Sequence, residues 1–171
     1  MADVAAVVAE LARQEVTLAV AESLTGGLIG AEVTSVPGAS RVFRGGVISY
    51  ATELKQELLG VPAELLRREG AVHPAVAAAM AAGVARLCGA GYGLAVTGVA
   101  GPEAQDGQPV GTVYVAVYEA VHAAAGRPGG ELWGRRLSLS GVRARIREET
   151  VDEAIDLLAS VLKANKGEHS G

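Results

Sequence analysis

The sequence has little of several things. Its 171 residues hold one cysteine, three histidines, one tryptophan, one phenylalanine and three lysines. A lone cysteine excludes an internal disulfide and any multi-cysteine zinc site. Cys88 falls in "VARLCGAG" at the expected end of a helix and reads as a buried structural thiol, since no histidine stands in a turn to activate it. His73, His122 and His169 are scattered, which leaves no metal cluster and no metal cofactor to expect. His73 directly precedes Pro74 at a helix start, where capping is the expected role; His122 lies in or beside a loop with no evident Asp partner. With no G-x-S-x-G elbow, a Ser-His-Asp triad is excluded as well. Long apolar runs are also missing. "AVHPAVAAAMAAGVA" is mostly Ala and is interrupted by His73 and Pro74, so no membrane span is expected. "MADVAAVVAELARQEV" lacks a basic segment followed by an apolar one, so no signal peptide is expected and the expected location is cytoplasmic.

Aromatic residues make up 4% of the chain, although half of it is apolar by a count that Ala inflates. The core must therefore come from Val, Leu, Ile and Ala, with helices packed close. The net charge is −4 and the sequence pI about 5.4, which does not favour a nucleic-acid partner. The one dense basic patch is Arg135, Arg136, Arg143, Arg145 and Arg147; with Glu148, Glu149, Asp152 and Glu153 following directly, it reads as solvated helix positions with one or two anion contacts.

Val4, Val7, Val8, Leu11 and Ala12 form one stripe, predicting a helix over residues 3–13. "VTLAVAE" at 16–22 predicts a buried strand, and "TGGLIGAEVTSV" a helix closed by "PGAS" at 37–40. A second strand is expected at 45–51, then a helix in "TELKQELLG" with Thr52 as N-cap and Gly60 as stop. A short helix with Pro62 in its first turn and a long Ala-rich helix opened by Pro74 come next. Strands are expected at 92–98, 112–120 and in "LWGRRLSLS", with a loop in "AAAGRPGG" between the last two. The final helix should run from about 141 to 164, carrying Val151, Ile155, Leu158 and Leu162 on one stripe, with the tail from about residue 166 frayed. The alternation predicts one domain over residues 1–171: an α/β fold, a three-layer α/β/α sandwich around a mixed, mostly parallel sheet with an antiparallel edge hairpin.

Ligands of open α/β sheets bind at the carboxyl ends of the strands. Three strand exits meet there: "AESLTGG", "SYATELK" and "TGVAGP". "GAGYGLAVTG" does not meet G-x-G-x-x-G and precedes its strand, and no P-loop is present. What remains is hydrolysis by a serine whose base is a lysine, provided that burial lowers the lysine pKa toward neutrality. Arg cannot serve as that base. Of the three lysines, Lys163 and Lys166 fall at the chain's end and Lys55 alone stands beside a strand exit; a solvated lysine paired to Glu is the plainer alternative. Ser23 has its own plain alternative as an N-cap. Thr25 is also available to cap, however, and Gly26 and Gly27 would open first-turn N–H groups to an oxyanion or phosphate.

The blocks "AESLTGGLIG", "FRGGVISYATELKQELLGV", "GAVHPAVAAAMAAG", "TGVAGP" and "PVGTVYVAV" occur in order between about residues 14 and 163. Together they resemble the CinA C-terminal domain family. Members of that family include nicotinamide mononucleotide deamidases, which hydrolyse the nucleotide's carboxamide to nicotinate mononucleotide and ammonia, without a metal, through a serine–lysine pair. Carried over block by block, the resemblance implies Ser23 as nucleophile, Lys55 as base and Tyr50 as the residue that orients them. It also implies an acyl-enzyme and a small-molecule nucleotide substrate. Backbone N–H groups of Thr25 to Gly27, or of Gly98 and Val99 after Thr97, would stabilise the oxyanion. Arg143 and Arg147 are candidates for the phosphate, and Glu22 for the cationic ring. The resemblance and the small apolar composition favour a homo-oligomer. Two departures touch substrate grip: "EAQDG" follows "VAGP" where relatives are glycine-rich, and Val142 replaces an acid. Many relatives carry a further N-terminal domain related to molybdopterin-binding proteins, whose activity is not expected here. Two other readings stay open: an amidase for another small amide, and a non-catalytic nucleotide-binding module linked to competence or DNA damage.

Overall fold

The computed structural model describes residues 3–120 and 130–167. Five strands form one sheet in the order β2-β1-β3-β4-β5: β1 Leu18–Glu22, β2 Phe43–Ile48, β3 Tyr92–Gly98, β4 Thr112–Glu119 and β5 Glu131–Ser138. β2, β1 and β3 pair in parallel, while β4 runs antiparallel to both β3 and β5. Four strands thus point the same way, and β4–β5 is the expected edge hairpin.

Strand alternation sorts the core into two layers. Leu18 and Val20 of β1, with Tyr92, Leu94 and Val96 of β3, face α1 (Val4–Arg13), α2 (Leu28–Thr34) and α6 (Arg143–Gly167). Ala19, Ala21 and Ala95 face α3 (Thr52–Leu59), α4 (Ala63–Glu69) and α5 (Pro74–Cys88). The second face is built from small side chains because α5 lies so close to it. A Cβ on Gly93 would stand 2.0 Å from the Ala81 carbonyl oxygen, and one on Gly83 of α5 1.9 Å from that of Leu59. The shortage of aromatics and the wealth of Ala and Gly are consequences of that close packing.

Several boundaries depart from the sequence reading. β2 begins at Phe43 and ends at Ile48, which leaves Ser49 and Tyr50 in the turn beyond it. α2 starts only at Leu28, because Gly26 and Gly27 take φ of 59° and 107° and hold the preceding residues in a turn. Thr52 lies inside α3, whose N-cap is Ala51, while Gly60 ends that helix in the left-handed conformation as expected. His73 caps α5 by accepting the Ala75 N–H at 3.1 Å on Nδ1. Cys88 is half-buried, not buried, at the last residue of α5. Arg135 and Arg136 sit on β5, not on a helix; Arg135 reaches across to Glu153 and Asp156 of α6 at 2.9 Å each. α6 continues to Gly167, past the expected start of fraying. His122 and most of the expected 123–130 loop lie outside the described residues, as do His169 and the tail from residue 168. Among the described residues, no helix is long and apolar enough to cross a membrane.

Candidate active site

The parallel strands β1, β2 and β3 all end on one side of the sheet, and the three exits converge there as the sequence suggested. They line one small open cleft with an accessible volume of about 160 Å³. Ser23 and Leu24 come from the first exit, Tyr50 from the second and Thr97 to Gly101 from the third. Glu103, Gln105 and Arg143 close the rim.

Lys55 is the residue whose setting is least ordinary. On α3 it shares the inward face with Leu59, one turn later, and only 1% of it is exposed. Its Nζ donates to the Ser49 carbonyl at 2.6 Å and stands 3.1 Å from Ser23 Oγ. Both partners are uncharged. Burial therefore dominates, and the Lys55 pKa is lowered to about 8, against a smaller opposing pull from the carboxylates of Asp106 and Glu53. A lysine that loses its proton near neutral pH, in contact with a serine hydroxyl, is equipped to take that hydroxyl's proton. Ser23 itself is 8% exposed and borders the cleft.

The turn that carries Ser23 is held from two directions. Glu22, 2% exposed, folds its carboxylate back over α2: Oε1 accepts the N–H groups of Gly27 at 3.2 Å and Ile29 at 2.9 Å, and Oε2 that of Gly30 at 3.0 Å. A buried carboxylate on a helix N-terminus satisfies orphan donors and complements the helix dipole. From the other side Arg147 of α6 donates Nε to the Leu24 carbonyl at 2.8 Å and Nη2 to that of Thr25 at 3.2 Å.

These bonds correct five expectations. Thr25 does not cap α2; its hydroxyl is buried with no partner, and Glu22 performs that task. Glu22 is consequently a helix anchor and not a counter-charge for a ring. Gly26 and Gly27 do not open their N–H groups to a ligand, because these donate to Ser23 O at 3.1 Å and to Glu22. The Val99 N–H is likewise taken, by Thr112 O at 2.9 Å. The Arg147 guanidinium grips two carbonyls of the turn instead of facing a phosphate.

Tyr50 also differs from expectation. It is 60% exposed and its hydroxyl accepts from Arg143 Nη2 at 3.0 Å, while the Lys55 contact from this turn comes from the Ser49 carbonyl. Arg143 donates its other terminal nitrogen to the Gly101 carbonyl, so it links the second and third strand exits at the cleft's rim. Thr97 lines the cleft, and its hydroxyl is bound to the Ala71 carbonyl at 2.8 Å. Gly98 must be glycine, since a Cβ there would meet Val113 Cγ2 at 2.7 Å. Sequence reasoning missed Ser49 and Asp106. A carbonyl acceptor carries no residue signature; Asp106 stood in a loop flagged only for departing from its relatives.

Residues 2–162 match the family described as CinA C-terminal domain. The chain belongs to that family. A CinA-like protein of Frankia casuarinae is 51% identical over 152 residues, which span 89% of this chain and 33% of that protein. One of Gemmatimonas aurantiaca is 43% identical over 165 residues, 96% of this chain and 36% of that protein. This CinA C-terminal domain thus spans about a third of the length of the curated relatives it matches. The crystal structure of the competence/damage inducible protein CihA from Agrobacterium tumefaciens superposes with a TM-score of 0.84 at 31% identity, covering 94% of this chain and 93% of that one. The α/β architecture of the CinA fold is therefore shared with a solved structure.

Proposed function

We propose that the protein is an amidohydrolase that cleaves the carboxamide of nicotinamide mononucleotide, giving nicotinate mononucleotide and ammonia. The observation that carries this reading is the buried Lys55 in contact with Ser23 Oγ at the edge of the cleft.

In this reading Ser23 Oγ attacks the carboxamide carbon as neutral Lys55 accepts its proton. The tetrahedral oxyanion takes a hydrogen bond from the Gly98 backbone N–H on the cleft wall, because those of Gly26, Gly27 and Val99 are engaged elsewhere and Thr25 is wholly buried. Lys55 returns the proton to the departing nitrogen, which leaves as ammonia while the acyl group stays on Ser23. A water then attacks the ester, Lys55 takes one of its protons and passes it to Ser23 Oγ, and the carboxylic acid is released and ionises, its proton taken up by the ammonia or by solvent. The Ser49 carbonyl keeps Nζ aimed throughout.

The charges around the cleft support the choice of substrate. Among its lining residues Glu103 and Arg143 are the charged pair. A ligand with a cationic pyridinium ring and an anionic phosphate matches one charge of each sign. Arg143 is the phosphate donor in this reading, and Tyr50 holds Arg143 in place, not the dyad. Family membership adds support, since the motif serine and lysine are Ser23 and Lys55.

The test is ammonia release by the EDTA-treated protein from a panel: nicotinamide mononucleotide, nicotinamide, and simple aliphatic amides. Release from the nucleotide well above the others is expected. Release from another amide alone moves the substrate and keeps the dyad, whereas none from any amide leaves a nucleotide-binding module without turnover.

A further inference from the structure

Asp106 is the residue that ties two segments of the cleft wall together. It stands at the tip of a small hairpin, where Gln105 N donates to Gln108 O at 3.1 Å and Gln108 N to Gln105 O at 2.8 Å. Asp106 and Gly107 take φ of 50° and 74°, so the pair makes the tight turn that an Asp-Gly sequence favours. The tip is not free. Asp106 Oδ2 accepts the Ala71 N–H at 3.0 Å, and the approach is so close that a Cβ on Gly70 would stand 2.7 Å from Asp106 Cβ. Gly70, with φ of 75°, is the glycine that permits it.

Ala71 is thereby held on both sides. Its N–H goes to Asp106 and its carbonyl takes the Thr97 hydroxyl at 2.8 Å. Ala71, Thr97, Glu103 and Gln105 all line the cleft, so one carboxylate ties the loop after β3 to the turn between α4 and α5 and closes that wall. Around Lys55, burial lowers the pKa and the carboxylates of Asp106 and Glu53 oppose it. The groups bonded to Lys55, Ser23 Oγ and the Ser49 carbonyl, are uncharged.

We propose that Asp106 is a positioning residue of this site, which clamps the 101–108 loop onto Ala71 to form the cleft wall. The catalytic part of the proposal rests on the amidohydrolase reading above; the clamp does not.

D106A removes the acceptor that holds Ala71, and D106N keeps one. Amide hydrogen exchange at Ala71 reads the clamp: faster exchange is expected in D106A, with protection retained in D106N. With nicotinamide mononucleotide, D106A should raise KM several-fold at little-changed kcat, and D106N should leave both near wild type. Unchanged Ala71 exchange in a folded D106A overturns the proposal. Should D106A not fold, D106G, which the positive φ of this position accommodates, is read in the same way. Absence of ammonia release from every protein would overturn the amidohydrolase reading and leave the exchange results to judge Asp106.

Discussion

Lys55 Nζ lies 2.6 Å from the Ser49 carbonyl oxygen and 3.1 Å from Ser23 Oγ, so the lysine is gripped by the exit of β2 while it faces the exit of β1. A carbonyl can only accept. One Lys55 hydrogen is therefore always directed at Ser49, and in the neutral amine the lone pair is left for the serine hydroxyl.

The first prediction concerns pH. The base must be neutral, and burial brings the Lys55 pKa to about 8. Amide hydrolysis should accordingly rise with pH and reach half its plateau near pH 8 in kcat/KM. A flat profile between pH 6 and 9 would rule out Lys55 as the group that titrates.

Stability should answer to the same group with a defined sign. Lys55 falls from 10.5 in the unfolded chain to about 8 in the folded one, so the unfolded state binds more protons between those values. Folding stability gains as pH rises through that window and lacks the gain below it. Lys55→Met removes the buried charge and should stabilise the protein at pH 7, by up to about 3 kcal/mol. The advantage should shrink by pH 10. Denaturant titrations of both proteins at the two pH values check this; a variant less stable than wild type at pH 7 would contradict it.

Glu22 should behave as a structural residue. Its carboxylate satisfies three backbone donors of the α2 start. Glu22→Ala leaves the buried Ile29 N–H and the half-buried N–H groups of Gly27 and Gly30 without this acceptor and should cost about 2–3 kcal/mol, read as a lowered melting temperature. If Glu22 were instead a substrate contact, KM would rise in a protein of unchanged stability.

Arg147 bridges two successive carbonyls of the turn that bears Ser23, a task that suits a planar fork and not a point charge. Arg147→Lys keeps the charge and loses the second bond. It should lower kcat roughly tenfold or more by loosening the nucleophile's position, with little change in KM. A large rise in KM at unchanged kcat would return Arg147 to the role of phosphate ligand.

Much of this was legible in the residues because it depended on local patterning. Short apolar runs bounded by turn residues mark β1 and β3, and a lone central lysine beside a strand exit points to Lys55. The illegible part is long-range. Nothing in "AVAESLTGG" says that Glu22, and not Thr25, reaches forward to Gly30, since that depends on how Gly26 and Gly27 turn the chain. Tyr50 was placed beside the dyad by its position in the motif, yet its partner Arg143 lies 93 residues away at the start of α6. Arg135 looked solvated because its acidic partners follow it in sequence, but it meets them by reaching from the sheet edge to α6.

The central claim is that Ser23 and Lys55 act as one catalytic unit. Ammonia release from nicotinamide mononucleotide by wild type, Ser23→Ala and Lys55→Met, measured side by side at pH 8, tests it most directly. Turnover in the wild type with a loss of at least about a hundredfold in each variant is expected, because neither half works without the other. Wild-type turnover that persists in folded Lys55→Met would contradict it.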